Sequence, residues 1–256
     1  MVPTAFLRSH DYRYLIKRWR SVARASGLVM RSFSQVGGYP VYFLRSRKLP
    51  QFGIIYISAG IHGDEPGGTE ACITWAEQNS ETLASLPLLI FPCLNPWGLI
   101  NNSRNDDQRR DLNRMFQHDE IPVLRELKRL IQPLRFSLAL MLHEDYDGHG
   151  VYIYEGRTGL ESWGDALTSV ARKFIATDPR PRIEKRVFRN GVFLRKIRLK
   201  LFEKIGLPEA AYLQLHHAER VFTIETPSEF AIDRRVAAQI AIINECVRRV
   251  HKTRSK

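Results

Sequence analysis

Short apolar, β-branched runs alternate with longer amphipathic stretches along the chain, a pattern that predicts strands alternating with helices in an α/β layered sheet. Ser9 marks the expected cap of a helix over residues 10–25, where Tyr14, Leu15, Trp19, Val22 and Ala23 recur at helical spacing until Gly27 ends the element. Strands over 28–36 and 40–44, joined at Gly37-Gly38, read as a hairpin, which would make the sheet mixed. Residues 54–58 form a short, mainly apolar and β-branched run that closes on Gly60, as a buried central strand does. A helix over 67–78 and a second buried strand over 86–93 follow.

From 95 to 117 the periodicity stops. This stretch is rich in Asn, Asp and Arg, is expected to be a loop, and is too long for a simple connector; such loops are usually functional or disordered. Beyond it the pattern predicts a helix over 122–131, a strand over 137–142 ending at His143, and a short strand over 151–154. A helix over 160–175, a strand over 221–224 ending at Glu225 and a closing helix over 231–250 complete the chain. No repeat, low-complexity tract or boundary divides it, so a single domain over 1–256 is expected, long enough for one substantial core.

Composition narrows the classes. No apolar run approaches the roughly 18–20 residues a membrane helix needs. Residues 1–20 carry five cations and lack the apolar core and small-residue cleavage site of a secretory signal, so a cytoplasmic protein is expected. Cys72, Cys93 and Cys246 are few and far apart, which points to small buried hydrophobes rather than disulfides or a thiolate metal site. The formal net charge is +12, and much of the excess lies in 180–204, including Arg186, Arg195, Lys196 and Arg198. That segment reads first as a solvated basic face and second as an electrostatic collar for an acidic ligand; no nucleic-acid motif accompanies it, and no nucleic-acid partner is expected.

Candidate chemistry gathers at strand ends. His62 and Glu65 lie three residues apart just after the first central strand, where open α/β sheets place ligands. Imidazole nitrogen and carboxylate oxygen both suit Zn²⁺, and a catalytic zinc takes three protein ligands and keeps one position open. His143, at another strand end, would be the third. Zinc so held acidifies water to a pKa of about 7 and acts as a Lewis acid on a carbonyl. Glu225 ends an apolar strand, where desolvation would raise its pKa toward use as a proton shuttle. In the polar stretch Arg104 could polarise a carbonyl, and Arg114, beside Asn113, could bind a carboxylate bidentately. Taken singly, each residue reads equally as a solvated or ion-paired group.

Taken in order, HGDE (62–65), NPWG (95–98), Arg104, DLNR (111–114), LHE (142–144) and TIETP (223–227) resemble the zinc metallocarboxypeptidases of the A/B type, closest to short bacterial members such as the murein peptide amidases. The resemblance spans roughly residues 53–227. It implies helices around a mixed sheet of about eight strands, the layered α/β/α arrangement shared with phosphorylase-type hydrolases. It also implies one zinc on His62, Glu65 and His143, with Glu225 as general acid/base and Arg104 on the scissile carbonyl. Asn113 and Arg114 would grip the substrate's terminal carboxylate, Tyr212 would be the substrate-capping tyrosine, and Asp64 and Glu144 would orient a ligand histidine. The implied substrate is a peptide or amino-acid amide with a free carboxylate, possibly acidic. Leu-His-Glu departs from the Asp-Leu-His of many relatives, and 180–215 follows no family pattern. Deacylases of the aspartoacylase and succinylglutamate desuccinylase type share HxxE and DLNR. A non-catalytic basic binding module is the alternative from another class.

Overall fold

The computed structural model describes residues 8–254; residues 1–7, part of the stretch read for a leader, lie outside it. In chain order the elements are α1 (Tyr12–Ser26), β1 (Val29–Val36), β2 (Tyr39–Arg45), β3 (Ile54–Ala59), α2 (Pro66–Gln78), β4 (Leu88–Phe91), α3 (Pro96–Asn101), α4 (Pro122–Ile131) and β5 (Phe136–Asp145). Then come β6 (Tyr152–Gly156), α5 (Gly164–Ala171), β7 (Arg182–Ile183), β8 (Arg186–Val187), β9 (Val192–Arg195), α6 (Leu199–Ile205), α7 (Glu209–His216), β10 (Val221–Pro227) and α8 (Ile232–Arg254).

Eight strands form one mixed sheet in the order β1-β2-β4-β3-β5-β10-β6-β9, and β7 and β8 form a separate hairpin. The expected N-terminal hairpin is present as the antiparallel pair β1/β2, while β4, β3, β5 and β10 run parallel. Every residue of β3 and of β4 is buried, because helices cover both faces of the central sheet and leave no solvent side for polar residues. One apolar layer packs α1, α2, α5 and α8 against the sheet, with Trp19 and Trp75 at its heart; the other packs α4 and α7 around Tyr56, Phe91 and Phe136. Cys72, Cys93 and Cys246 are all buried, as expected. Among the described residues no helix is long and apolar enough to cross a membrane.

Some elements differ from expectation for local reasons. Asp11, not Ser9, caps α1, its side chain accepting from the Tyr14 amide at 2.9 Å; a carboxylate suits the positive end of a helix better than a hydroxyl. The stretch 95–117 is not one loop. Asn95 caps the short α3 through Gly98, and residues 112–114 form a single 3₁₀ turn capped by Asp111. These turns are too short to show a hydrophobic period. The basic segment also holds unexpected structure: β9 is the edge strand of the sheet, and β7/β8 turn through Glu184 and Lys185, both at positive φ. Without Asn-Gly or Asp-Gly the hairpin has no sequence signal.

Candidate active site

Three strand ends meet. β3 pairs in parallel with β5, and β5 with β10, so the chain after β3, His143 of β5 and Glu225 of β10 fall at the same sheet edge; Glu225 stands directly beside His143 in the ladder. The turn after β3 is held by close backbone approach to the Asn95 segment. A Cβ on Gly63 would lie 1.9 Å from the carbonyl carbon of Gly98, and the Gly63 amide donates to Ser103 O at 3.0 Å. Glycine in both motifs is therefore a packing requirement.

His62, Glu65 and His143 are buried, and one ligand atom from each lies within 4.8 Å of the others. Glu65 sits between the rings: its Oε1 is 2.6 Å from His62 Nδ1 and its Oε2 is 2.7 Å from His143 Nδ1. The Glu144 backbone amide donates to Oε2 at 3.1 Å. Two imidazole nitrogens and a carboxylate turned toward one point form a borderline-soft donor set that fits zinc. The far nitrogen of His62, Nε2, faces Asp111 Oδ1 at 3.1 Å, the carboxylate–histidine arrangement that fixes a ligand ring and raises its basicity.

Asp111 thus does what was expected of Asp64, which is exposed. Glu144 does not reach the His143 ring. It alternates to the other face of β5, where its carboxylate accepts from the Gly67 amide at 2.7 Å and from Arg235 at 2.7 Å. Gln239, also of α8, donates to His143 O at 3.1 Å. Arg235 and Gln239 brace the ligand strand from behind. Their only sequence signal is polar residues on the buried side of a helix.

Arg104 donates through Nε and Nη2 to Asp111 Oδ2 at 3.1 and 3.0 Å, which leaves Nη1 3.4 Å from Glu65 Oε1 at the partly exposed lip of the group. Asn113 is buried, and its Oδ1 accepts the Glu209 amide at 3.0 Å, leaving its Nδ2 donors for another partner. Glu209 is a buried carboxylate that the sequence reading missed; Tyr56 donates to it at 2.5 Å, and burial raises its pKa. Tyr212 is not brought to this group. Its ring packs on Phe116, His216 and His217, with Lys128 above it. Burial first, and the charge of Glu225 with it, opposes ionisation of the Tyr152 and Tyr154 phenols of β6.

The electrostatics follow from these contacts. Burial alone would lower the pKa of His62, but Glu65 and Asp111 outweigh it and raise it from 6.5 to about 9. Burial would raise Glu65, yet the two imidazoles hold it well below the carboxylate range. Glu225 rises from 4.5 to about 8, through burial first and through Glu65, Asp145 and Glu184, against the opposing pull of His143. Groups raised on folding stabilise below their unfolded pKa and lose that contribution as pH climbs through the folded value. In chelator, therefore, thermal stability is expected to fall between about pH 5 and pH 9, with the imidazole alone worth roughly 3 kcal/mol. Zinc needs the imidazole neutral and should cancel its share of the decline. A melting temperature flat across that range in chelator would mean that the paired geometry does not persist in solution.

Comparison with known families finds that residues 53–143 match the succinylglutamate desuccinylase/aspartoacylase catalytic domain. That stretch contains His62, Glu65, Arg104, Asp111, Asn113, Arg114 and His143. No curated protein sequence matches the chain. Among solved structures, a candidate metallopeptidase from Shewanella amazonensis SB2B superposes with a TM-score of 0.81 at 21% identity, covering 92% of each chain. A metallo-carboxypeptidase from Burkholderia cenocepacia gives 0.69 at 13% identity over 94% of this chain and 70% of that one. The murein-tripeptide amidase of Escherichia coli O157 gives 0.58 at 14% identity over 84% and 90%. At these identities the likeness speaks for the fold. The ordered motifs thus fall partly within a stretch similar to that catalytic domain, on a chain whose fold is that of metallopeptidase and metallo-carboxypeptidase structures.

Proposed function

We propose that the chain is a zinc-dependent hydrolase that cleaves an amide bond next to a free carboxylate, as a carboxypeptidase or murein-peptide amidase does. The observation that carries this reading is the convergence of His62, Glu65 and His143 at one point, with Glu225 one strand away and opposite His143 in register. Zinc on those three residues would supply Lewis acidity toward water and the scissile carbonyl. Glu225 takes the proton of the attacking water and delivers it to the leaving nitrogen, a role suited to a carboxyl raised toward neutrality. Arg104 faces the developing oxyanion through Nη1 while Asp111 holds the rest of its guanidinium. Asn113 and Arg114 bind the substrate carboxylate beside the bond.

A second reading is favoured by the family match over 53–143: removal of an acyl group from a single N-acyl amino acid, by the same residues in the same roles. A three-way assay separates the two. Zinc-loaded protein is offered a short peptide with a free C-terminus, the same peptide amidated there, and an N-acyl amino acid, each with and without chelator. The peptide should be cleaved, its amide spared, and chelator should stop the reaction. Cleavage of the N-acyl amino acid alone would move the assignment to the deacylase. If zinc is bound and none of the three is cleaved, both readings fail.

A further inference from the structure

Directly behind the row that carries His143 and Glu225 lies a second row of opposed residues. Glu144 of β5 stands opposite Thr226 of β10, and both turn to the face away from the site, because adjacent residues on a strand alternate. On that face α8 packs against the sheet. Its buried stripe includes Arg235, Gln239, Ile242 and Cys246 at helical spacing. Ile242 and Cys246 join the apolar layer, whereas Arg235 and Gln239 bring a charge and an amide behind the two strands.

The contacts of this second row reach every segment that supplies the reaction centre. Glu144 Oε2 accepts from the Gly67 amide at 2.7 Å, two residues beyond the ligand Glu65 and in the first turn of α2. A Cβ on Gly67 would lie 2.3 Å from Glu144 Oε1, so this close approach requires glycine. Glu144 Oε1 accepts from Arg235 Nη1 at 2.7 Å and from the Thr226 hydroxyl at 3.3 Å. Gln239 Nε2 donates to Thr226 Oγ1 at 2.8 Å and to His143 O at 3.1 Å. One buried cluster thus joins the turn that holds Glu65, the strand that holds His143 and the strand that holds Glu225.

Stability is a poor reason for such a cluster. Replacing a buried ion pair by apolar residues of similar volume is often neutral or stabilising. Arg235 Nε and Gln239 Oε1 are buried without a hydrogen-bond partner among the described residues, and unsatisfied groups carry a further cost. An apolar continuation of the α8 stripe would pack the same strands without either cost. It would supply no directed bonds to hold β10 and the α2 turn at fixed positions against β5.

We propose that Arg235 is a positioning residue for the site, fixing Glu65 and Glu225 relative to His143 through Glu144 and Thr226. For Glu225 the proposal rests on the hydrolase reading above; for Glu65 it rests only on the geometry of the metal site. Arg235 lies beyond both the matched stretch 53–143 and the ordered motifs, so the closing helix belongs to the machinery of the site. The cluster has two arms. The Gly67 arm leads to a metal ligand, and the Thr226 arm leads to the acid/base carboxyl.

The test compares wild type with Glu144→Met/Arg235→Met, Arg235→Lys and Thr226→Val, each below its melting temperature. Zinc affinity is measured by competition with a chromophoric chelator, and kcat and KM are measured at saturating zinc. The double variant leaves no unpaired charge behind, so it should fold, yet bind zinc roughly 10- to 100-fold more weakly and lose kcat by a similar factor with KM unchanged. Cobalt(II) in place of zinc should show an altered visible spectrum in this variant. Thr226→Val cuts only the second arm and should lower kcat about 10-fold, with zinc affinity, cobalt spectrum and KM as in wild type. Arg235 gives Glu144 a single donor, which lysine can replace, so Arg235→Lys should stay close to wild type.

A double variant with wild-type zinc affinity and kcat shows packing alone and overturns the proposal. So does a loss confined to KM, or a lysine variant as impaired as the double one. If the double variant does not fold, Thr226→Val decides: the kcat loss at unchanged KM supports the proposal, and wild-type kcat overturns it. If no protein cleaves any substrate, the hydrolase reading fails while zinc affinity and the cobalt spectrum still judge the ligand arm. Weakened affinity in the double variant then upholds it, and unchanged affinity overturns it.

Discussion

Glu225→Gln is expected to lower kcat by about 10²- to 10⁴-fold while leaving one zinc per chain, the range in which a positioned general acid/base contributes. The amide has nearly the shape of the carboxyl group, so the packing of β10 between β5 and β6 should hold and Tyr152 should keep its place opposite. What is lost is the ability to take a proton from water and return it to the leaving nitrogen. Metal content by elemental analysis, read beside turnover on the best substrate, separates this from collapse of the site. Near-normal turnover in the variant with every substrate class would remove Glu225 from the mechanism.

His143→Ala should abolish stoichiometric zinc, because it takes away the one ligand supplied from outside the turn that holds His62 and Glu65. Two effects compound. The donor set drops to two, below what a catalytic zinc site uses, and Glu65 loses the partner 2.7 Å away that balances its buried charge. About one zinc per wild-type chain purified without added metal, against less than a tenth of that in the variant, is the expected outcome. If neither protein holds metal after zinc is offered at neutral pH, the constellation does not function as a metal site. Binding to anionic partners through the +12 surface would then be the reading to pursue.

The two substitutions probe features that the sequence disclosed to different depths. The run from Ile54 to Ala59 is apolar apart from Ser58 and the Tyr56 hydroxyl and shows no polar alternation, as a strand covered on both faces does, so the centre of the sheet was legible at once. His62 and Glu65 were legible with it, since they follow that strand within one turn. His143 and Glu225 could be recognised as strand-end residues, but their meeting depends on β5 lying between β3 and β10, a strand order that no local pattern encodes. The ordered motifs stood in for that missing topology.

Other parts of the site left little or no local trace. Asp111 appeared only as part of the DLNR match, and its contact with His62 spans 49 residues of chain through a 3₁₀ turn too short for periodicity to register. Glu144, expected from the resemblance to orient a ligand histidine, stands next to His143 in the chain. Adjacent residues on a strand point to opposite faces, and the carboxylate ends against Arg235. Tyr212 satisfied a positional expectation, upstream of the glutamate, while its ring packs on Phe116 and two histidines.

The basic segment makes the same point in reverse. Its charge was visible as a run, yet charge along a sequence does not distinguish a solvated cation from a buried one. Lys196 and Arg198 are exposed, whereas Arg195, the last residue of the edge strand β9, buries its Nε and Nη2 with no partner among the described residues. The sequence by itself determined the layered α/β class, the central strands and which residue types were available for chemistry, because those follow from periodicity and side-chain composition over a few residues. Strand order, register and the direction of each side chain were decided only by the tertiary structure, because they depend on which distant segments bury each other.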